Sequence, residues 1–170
     1  LTPTQMLKGF LLSLLNNDEE KNELNELWKT KISKFHEIDK NEDLEFFKAW
    51  LRAKYAESIR AGKKGSSNED FEKIGTRFHS WVRDNIKKVG LKGSNEVYEF
   101  VNKNFEFYSN IYFKIDQAIE ELTKGLESIY YLEDRGLASS LYFPLLLSPI
   151  TLNDDKKTIN KKLALVSYYL

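Results

Sequence analysis

Residues 105–130 read FEFYSNIYFKIDQAIEELTKGLESIY, and their spacing decides the fold class. Tyr108, Ile111, Tyr112, Ile115, Ile119, Leu122, Leu126 and Ile129 recur at steps of three and four, which places them on one stripe of an α-helix. Strand-like alternation of apolar and polar residues is absent from this stretch and does not compete elsewhere. The expected fold is therefore all-α, a bundle of about seven to eight helices in a single domain.

Working outward, Thr2, Pro3 and Gln5 read as N-cap, first helical position and capping-box partner of a helix running to about Leu15. A second helix, about Glu19 to Phe35, aligns Leu24, Leu27, Trp28, Ile32 and Phe35 and turns its acids to water. A third, about Glu42 to Arg60, carries Leu44, Phe47, Leu51 and Tyr55, flanked by Phe46, Trp50 and Ile59. Residues 61–67 (AGKKGSS) combine glycine, lysine and serine and read as a flexible exposed loop.

Ser67 or Asn68 then opens a fourth helix to about Lys88, with Phe71, Ile74, Phe78, Trp81, Val82 and Ile86 inward and Gly90 as C-cap. A short helix near Asn95–Asn102 leads into the long stripe. Past Arg135-Gly136, a buried helix over Ala138–Leu147 is interrupted at Pro144. The last helix begins near Asp154 or Asp155 and points Ile159, Leu163, Val166 and Tyr169 or Leu170 inward.

The 170 residues are 41% hydrophobic and 14% aromatic, which is ample for a packed core. The 26 basic and 26 acidic side chains cancel, so net charge points to neither a nucleic-acid coat nor a membrane coat. The charge is segregated instead: ten acids face five bases over Asp18–Glu45, and six bases face one acid over Lys48–Lys64. With no cysteine, disulfides, thiolate nucleophiles and zinc-thiolate sites are excluded, which suits a cytoplasmic location. No apolar run approaches the roughly 20 residues of a membrane span, so no membrane partner is expected.

Two histidines, His36 and His79, stand in no metal-ligand spacing. Arg77, His79, Arg83 and Asp84 could form a local catalytic patch. The competing reading is structural: Phe78, Trp81 and Val82 bury while Arg77, His79 and Arg83 take surface or interhelical hydrogen bonds. Helical ribonucleases of the HEPN type separate Arg from His by four to six residues, whereas Arg77 and His79 are two apart. No catalytic, cofactor-binding or metal-ligating residue is assigned. The basic region 48–92 could follow a phosphate backbone, with Arg52, Arg60, Lys63, Lys64, Arg77 and Arg83 as the candidate contacts.

Several stretches taken in order carry a resemblance: 1–13 (LTPTQMLKGFLLS), 25–29 (NELWK), 47–56 (FKAWLRAKYA), 68–85 (NEDFEKIGTRFHSWVRDN), 105–112 (FEFYSNIY) and 145–150 (LLLSPI). Together they look like the helical region of GmrSD-type restriction proteins. In that family a ParB-like nuclease or NTPase domain with a D-G-Q-Q-R signature precedes the helical region, and many members end in an HNH nuclease domain. The resemblance implies a helical middle domain, residues 1–170, in a fragment of a longer chain. Residues 1–15 would be the tail of the ParB-like domain and residues 155–170 a truncated final helix. Neither signature occurs here, so the family's hydrolytic residues have no positions onto which they carry. The implied role is a non-catalytic interaction or relay domain of a DNA defence protein whose parent is a nucleotide-dependent endonuclease. Its partners would be adjacent domains of the parent, DNA, and a second copy of the chain.

Overall fold

A computed structural model describes residues 1–170 and is helical throughout, with no strand. Eight of its ten α-helices are longer than a single turn; the other two have four residues each. The chain falls into two compact units, Leu1–Glu106 and Phe107–Leu170, where the sequence pointed to a single domain. The division was invisible in the sequence because it lies inside continuous helix, with no glycine, proline or polar linker to mark it.

In the first unit, α1 (Pro3–Ser13) starts as its sequence requires. The Thr2 side chain accepts from the Gln5 amide, the Gln5 side chain accepts from the Thr2 amide, and Pro3 occupies the first turn. α2 (Asp18–His36) is capped by Asn17, whose Oδ1 accepts from the Glu20 amide at 2.8 Å, and three first-turn acids favour the positive end of the helix dipole. Leu24, Trp28 and Phe35 are buried on its stripe, with Leu27 and Ile32 half-buried. Lys31 is buried too, paired with Glu106 and lying over the Phe105 ring.

α3 spans Glu42–Tyr55, five residues short of the expected end. The apolar spacing continues to Ile59, but Ile59 is 64% exposed and residues 56–60 are extended away from the helix. α4 (Asp70–Asp84) begins after Glu69, not after Ser67 or Asn68, and is kinked at Arg77 (φ −147°, ψ 65°). It stops before Lys88; a single turn, α5 (Ile86–Val89), follows and ends at Gly90, whose φ of 82° fits the expected left-handed C-cap.

α6 (Ser94–Glu99) runs through a π-helical turn, Phe100–Phe105, into α7 (Glu106–Glu120). α1 lies against α2, α3 and α4, and α3 lies against α4. The core between them is aromatic. Phe46 stacks on Phe35 at 4.8 Å, Trp50 on Phe100 at 4.8 Å, and Phe47 on Phe78 at 5.4 Å, while Phe105 meets Phe47 at 5.1 Å. Each such pair contributes about 0.5–1.5 kcal/mol beyond burial of its area.

The second unit holds the body of α7, then α8 (Glu127–Tyr130), α9 (Ser139–Leu147) and α10 (Lys156–Tyr169). The long stripe that decides the fold class ends at Glu120. Leu122 is exposed, Gly125 turns the chain at φ 85°, and Leu126 and Ile129 reach the core from α8 and the residue before it. Tyr112 stacks on Phe143 at 4.4 Å, and the Tyr108 hydroxyl donates to the Ile150 carbonyl at 3.2 Å. α9 accommodates Pro144, and α10 is capped by Asp155, whose side chain accepts from the Thr158 amide. α10 packs on α8 and α9 through Ile159 and Leu163, but the next inward position is Ser167, not Val166 or Tyr169. Ser167 is fully buried and shares a hydrogen bond with Ser128 at 2.5 Å, while Tyr169 is exposed.

Candidate nucleic-acid interface

The basic region Lys48–Lys92 is organised by α4, because the extended strap 56–60 is tied to the acids and amides of that helix's first turn. The Glu57 amide donates to Asp70 Oδ2 at 3.0 Å and the Arg60 amide to Glu72 Oε2 at 3.0 Å. In return, the Phe71 amide donates to the Ser58 carbonyl at 3.1 Å and the Asp70 amide to Ser58 Oγ at 3.3 Å. Ser58 thus satisfies two first-turn amides that a helix leaves open, acting as a cap supplied from twelve residues upstream of Asp70.

Asp70 is the hub of this junction. Besides the Glu57 amide, it accepts from Trp81 Nε1 at 3.0 Å and from Lys88 Nζ at 3.1 Å. Burial alone would raise its carboxyl, but the Glu57 amide, the Trp81 indole and the Lys88 ammonium together lower it to about 2. Lys88, shared with Glu57 at 3.1 Å, is shifted upward chiefly by its hydrogen bond to Asp70.

Arg52 is a packing residue. Its Nε donates to the Phe71 carbonyl at 2.9 Å and its guanidinium lies 3.9 Å over the Phe71 ring. Burial lowers its pKa, opposed by Glu45 and Glu72, and the side chain is half-buried. Arg60 is exposed, with Nη1 donating to Asn68 Oδ1 at 3.3 Å. Lys63 and Lys64 sit in the turn 61–67, which the Ser66 hydroxyl closes through the Ala61 and Lys63 carbonyls and in which Gly65 takes a φ of 82°.

Arg77, at the kink, lines a cleft of about 390 Å³ together with Asn68, Asp70, Lys73 and Trp81. Arg83 is exposed and its Nε donates to Asp84 Oδ1 at 3.2 Å, Asp84 lining the same cleft. The fold thus gathers Arg60, Lys73 and Arg77 around Asn68, takes Arg52 inward, and interleaves acids with the cations that remain.

The histidines take other roles. His79 is buried, not at the surface, and its Nδ1 has no hydrogen-bond partner. Burial, then the charges of Arg77 and Arg83, lowers its pKa. His36 Nε2 lies 3.1 Å from Asp43 Oδ1. No group of three or more His, Asp or Glu side chains is arranged to hold a metal ion, and no helix is long and apolar enough to cross a membrane. Sequence reasoning missed Ser58, and it placed Asp70 in a capping box with Ser67 and Lys88 among the candidate phosphate-tracking bases, not in this junction. The signal available was the acidic cluster Glu69-Asp70-Glu72 directly after a basic stretch, which marks a helix start that clasps a neighbouring segment.

No family model matches this chain, and neither does any curated protein or solved structure among those compared.

Proposed function

We propose that this chain is a non-catalytic helical interaction domain of a GmrSD-like DNA restriction protein, relaying between adjacent domains of its parent. The carrying observation is the outward face of α10, where Leu165, Tyr168 and Tyr169 are 60%, 70% and 79% exposed. Apolar side chains grouped on one helix face are characteristic of a surface that docks against protein. On α1, by contrast, Met6, Phe10, Leu12 and Leu14 are half-buried.

Titratable groups of the basic region support the same reading, because Arg52, Asp70 and Lys88 are engaged in holding helices together. The test is to assay the purified chain for nucleotide hydrolysis and metal-dependent DNA cutting. The expected result is no turnover. DNA cleavage that survives rigorous purification and disappears in His79→Ala would overturn the proposal and make the chain an enzyme in its own right.

A second reading, direct contact with the DNA backbone, is favoured by the grouping of Arg60, Lys73 and Arg77 around Asn68 beside the Lys63-Lys64 turn. Phosphate contacts of this kind impose a steep salt dependence. Fluorescence anisotropy with a labelled duplex at about 50 and 200 mM salt separates the two readings. Saturable binding lost in Lys63→Glu/Lys64→Glu establishes the DNA-contacting reading; no binding at the lower salt leaves the docking role.

A further inference from the structure

Between α3 and α4 the chain runs through residues 56–69 without helix, the longest such stretch in the molecule. Its ends are held and its middle is not. The Glu57 and Arg60 amides are bonded to the first turn of α4, and the Arg60 side chain reaches Asn68. Residues 61–65 are exposed throughout, and a Cβ added at Gly62 or Gly65 would meet nothing within 4 Å. The hydrogen bonds that shape the turn come from Ser66. Its amide donates to the Lys63 carbonyl at 3.2 Å, and its hydroxyl faces the Lys63 carbonyl at 2.8 Å and the Ala61 carbonyl at 2.5 Å. Lys63 and Lys64 therefore stand side by side on chain that can be drawn straight without unfolding a helix.

Other basic residues between helices are placed differently. Lys40 lies in the short connection 37–41, where the Ile38 and Asp39 amides are bonded back to the Phe35 carbonyl. Lys92 lies in the connection 90–93, next to the buried Leu91. Lys124 precedes Gly125, whose amide is bonded to the Glu127 side chain at 3.0 Å, and the buried Leu126 follows. Arg135 donates to the Ser167 carbonyl at 3.3 Å. An endopeptidase has to draw residues on both sides of the bond it cuts into its cleft in extended form, which is why exposed loop tips of small and polar residues are nicked first. The turn 61–67 presents its two lysines among glycines and serines in that setting.

The helices on either side do not depend on this stretch of backbone for their contact. α1 lies against both α3 and α4, Phe47 stacks on Phe78 at 5.4 Å, and Arg52 bonds to the Phe71 carbonyl and covers its ring. A cut in the turn leaves α1, α2 and α3 on one piece and α4 on the other, with all of these contacts between them. We infer that the bonds after Lys63 and Lys64 are a processing site for a serine endopeptidase with an acidic, lysine-accepting specificity pocket, and that the cut protein persists as an assembled two-chain molecule. Water adds across the peptide bond, leaving a carboxylate on the lysine and an ammonium group on the residue that follows. Both lysine side chains stay in place. The inference is independent of the role proposed for the whole chain.

The purified chain is digested with a trace of trypsin and followed by intact-mass spectrometry and by size exclusion in native buffer. The first products should be residues 1–63 or 1–64 and the matching C-terminal pieces. The two pieces should elute together at the position of the uncut chain and separate in guanidinium chloride. Lys63→Gln/Lys64→Gln should lose this first cut while keeping the parent's melting temperature, because the turn is exposed. A first cut at any other bond, the one after Arg60 included, would overturn the processing site. Separation of the two pieces in native buffer would overturn the two-chain molecule.

Discussion

The guanidinium of Arg52 occupies the space that a side chain at position 75 would need: a Cβ added to Gly75 would fall on it, 2.9 Å from Cζ. α3 and α4 approach each other through this pair. The glycine in the middle of α4 thus leaves room for the end of the Arg52 side chain. Gly75→Ala should displace Arg52 from the Phe71 carbonyl and ring, a loss of about 1–2 kcal/mol that the better helix propensity of alanine offsets by about 1 kcal/mol, so chemical denaturation should show a net loss of about 1 kcal/mol or less. Gly9→Ala is the control: its Cβ meets nothing, α1 is helical there, and stability should rise by about 0.4–1 kcal/mol.

Asp70 predicts an acid-labile junction. Its carboxyl is held at about 2 against an ordinary 3.8, so its contribution is complete above the higher value and is lost as pH falls from about 4 through about 2. Asp70→Ala should destabilise the chain by about 1–3 kcal/mol at neutral pH, since it strands the Glu57 amide and the Trp81 indole. Denaturation curves of the two proteins should converge below about pH 2.

His79 predicts the opposite consequence of a substitution. Its pKa is depressed chiefly by burial, so the unfolded chain takes up the proton first and the folded state loses stability as pH falls through the ordinary value of 6.5. His79→Leu also removes the unpaired Nδ1. The variant should match or exceed the parent's melting temperature at neutral pH, with an advantage that widens as the solution is acidified. A variant that loses stability equally at every pH would show that the imidazole is doing packing work alone.

Basic residues of the region should separate by role. Arg52→Gln should lower stability by about 1–2 kcal/mol through its lost contacts. Lys63→Glu/Lys64→Glu, in the exposed turn, should stay within about 0.5 kcal/mol of the parent. Equal losses in thermal melts would contradict the packing of Arg52 on Phe71 and the exposure of the two lysines.

On α10, Leu165→Lys/Tyr168→Lys should leave the melting temperature in thermal melts within a degree or two, as expected for surface changes. A large fall in stability would place these side chains in the core.

Much of the helical architecture was legible because it is written locally. Thr2, Pro3 and Gln5 specify a helix start with their own hydrogen-bonding groups, and Gly90 and Gly136 take the positive φ that their turns require. What was not legible depends on partners distant in sequence. Ile59 continues the α3 spacing, yet the Glu57 and Arg60 amides are drawn off by Asp70 and Glu72, so the helix stops at Tyr55. Leu126 and Ile129 keep the α7 period across Gly125 and still belong to another element. Ser167 reached the core in place of Val166 because Ser128 offers it a partner, which no periodicity encodes. Among the candidate contacts, charge identified Lys63, Lys64, Arg60, Arg77 and Arg83 as surface cations, whereas nothing in the charge of Arg52 announced that Phe71 would sit beneath it.

The strap and the first turn of α4 clasp both ends of the turn 61–67, with Arg60 bonded to Asn68 across its mouth. Such a loop is nearly uncoupled from the helices that carry it. Doubling its length should cost only about 0.6 kcal/mol in closure entropy. The position is therefore a natural socket for inserting a peptide tag or a reporter, where added chain leaves the helical frame undisturbed.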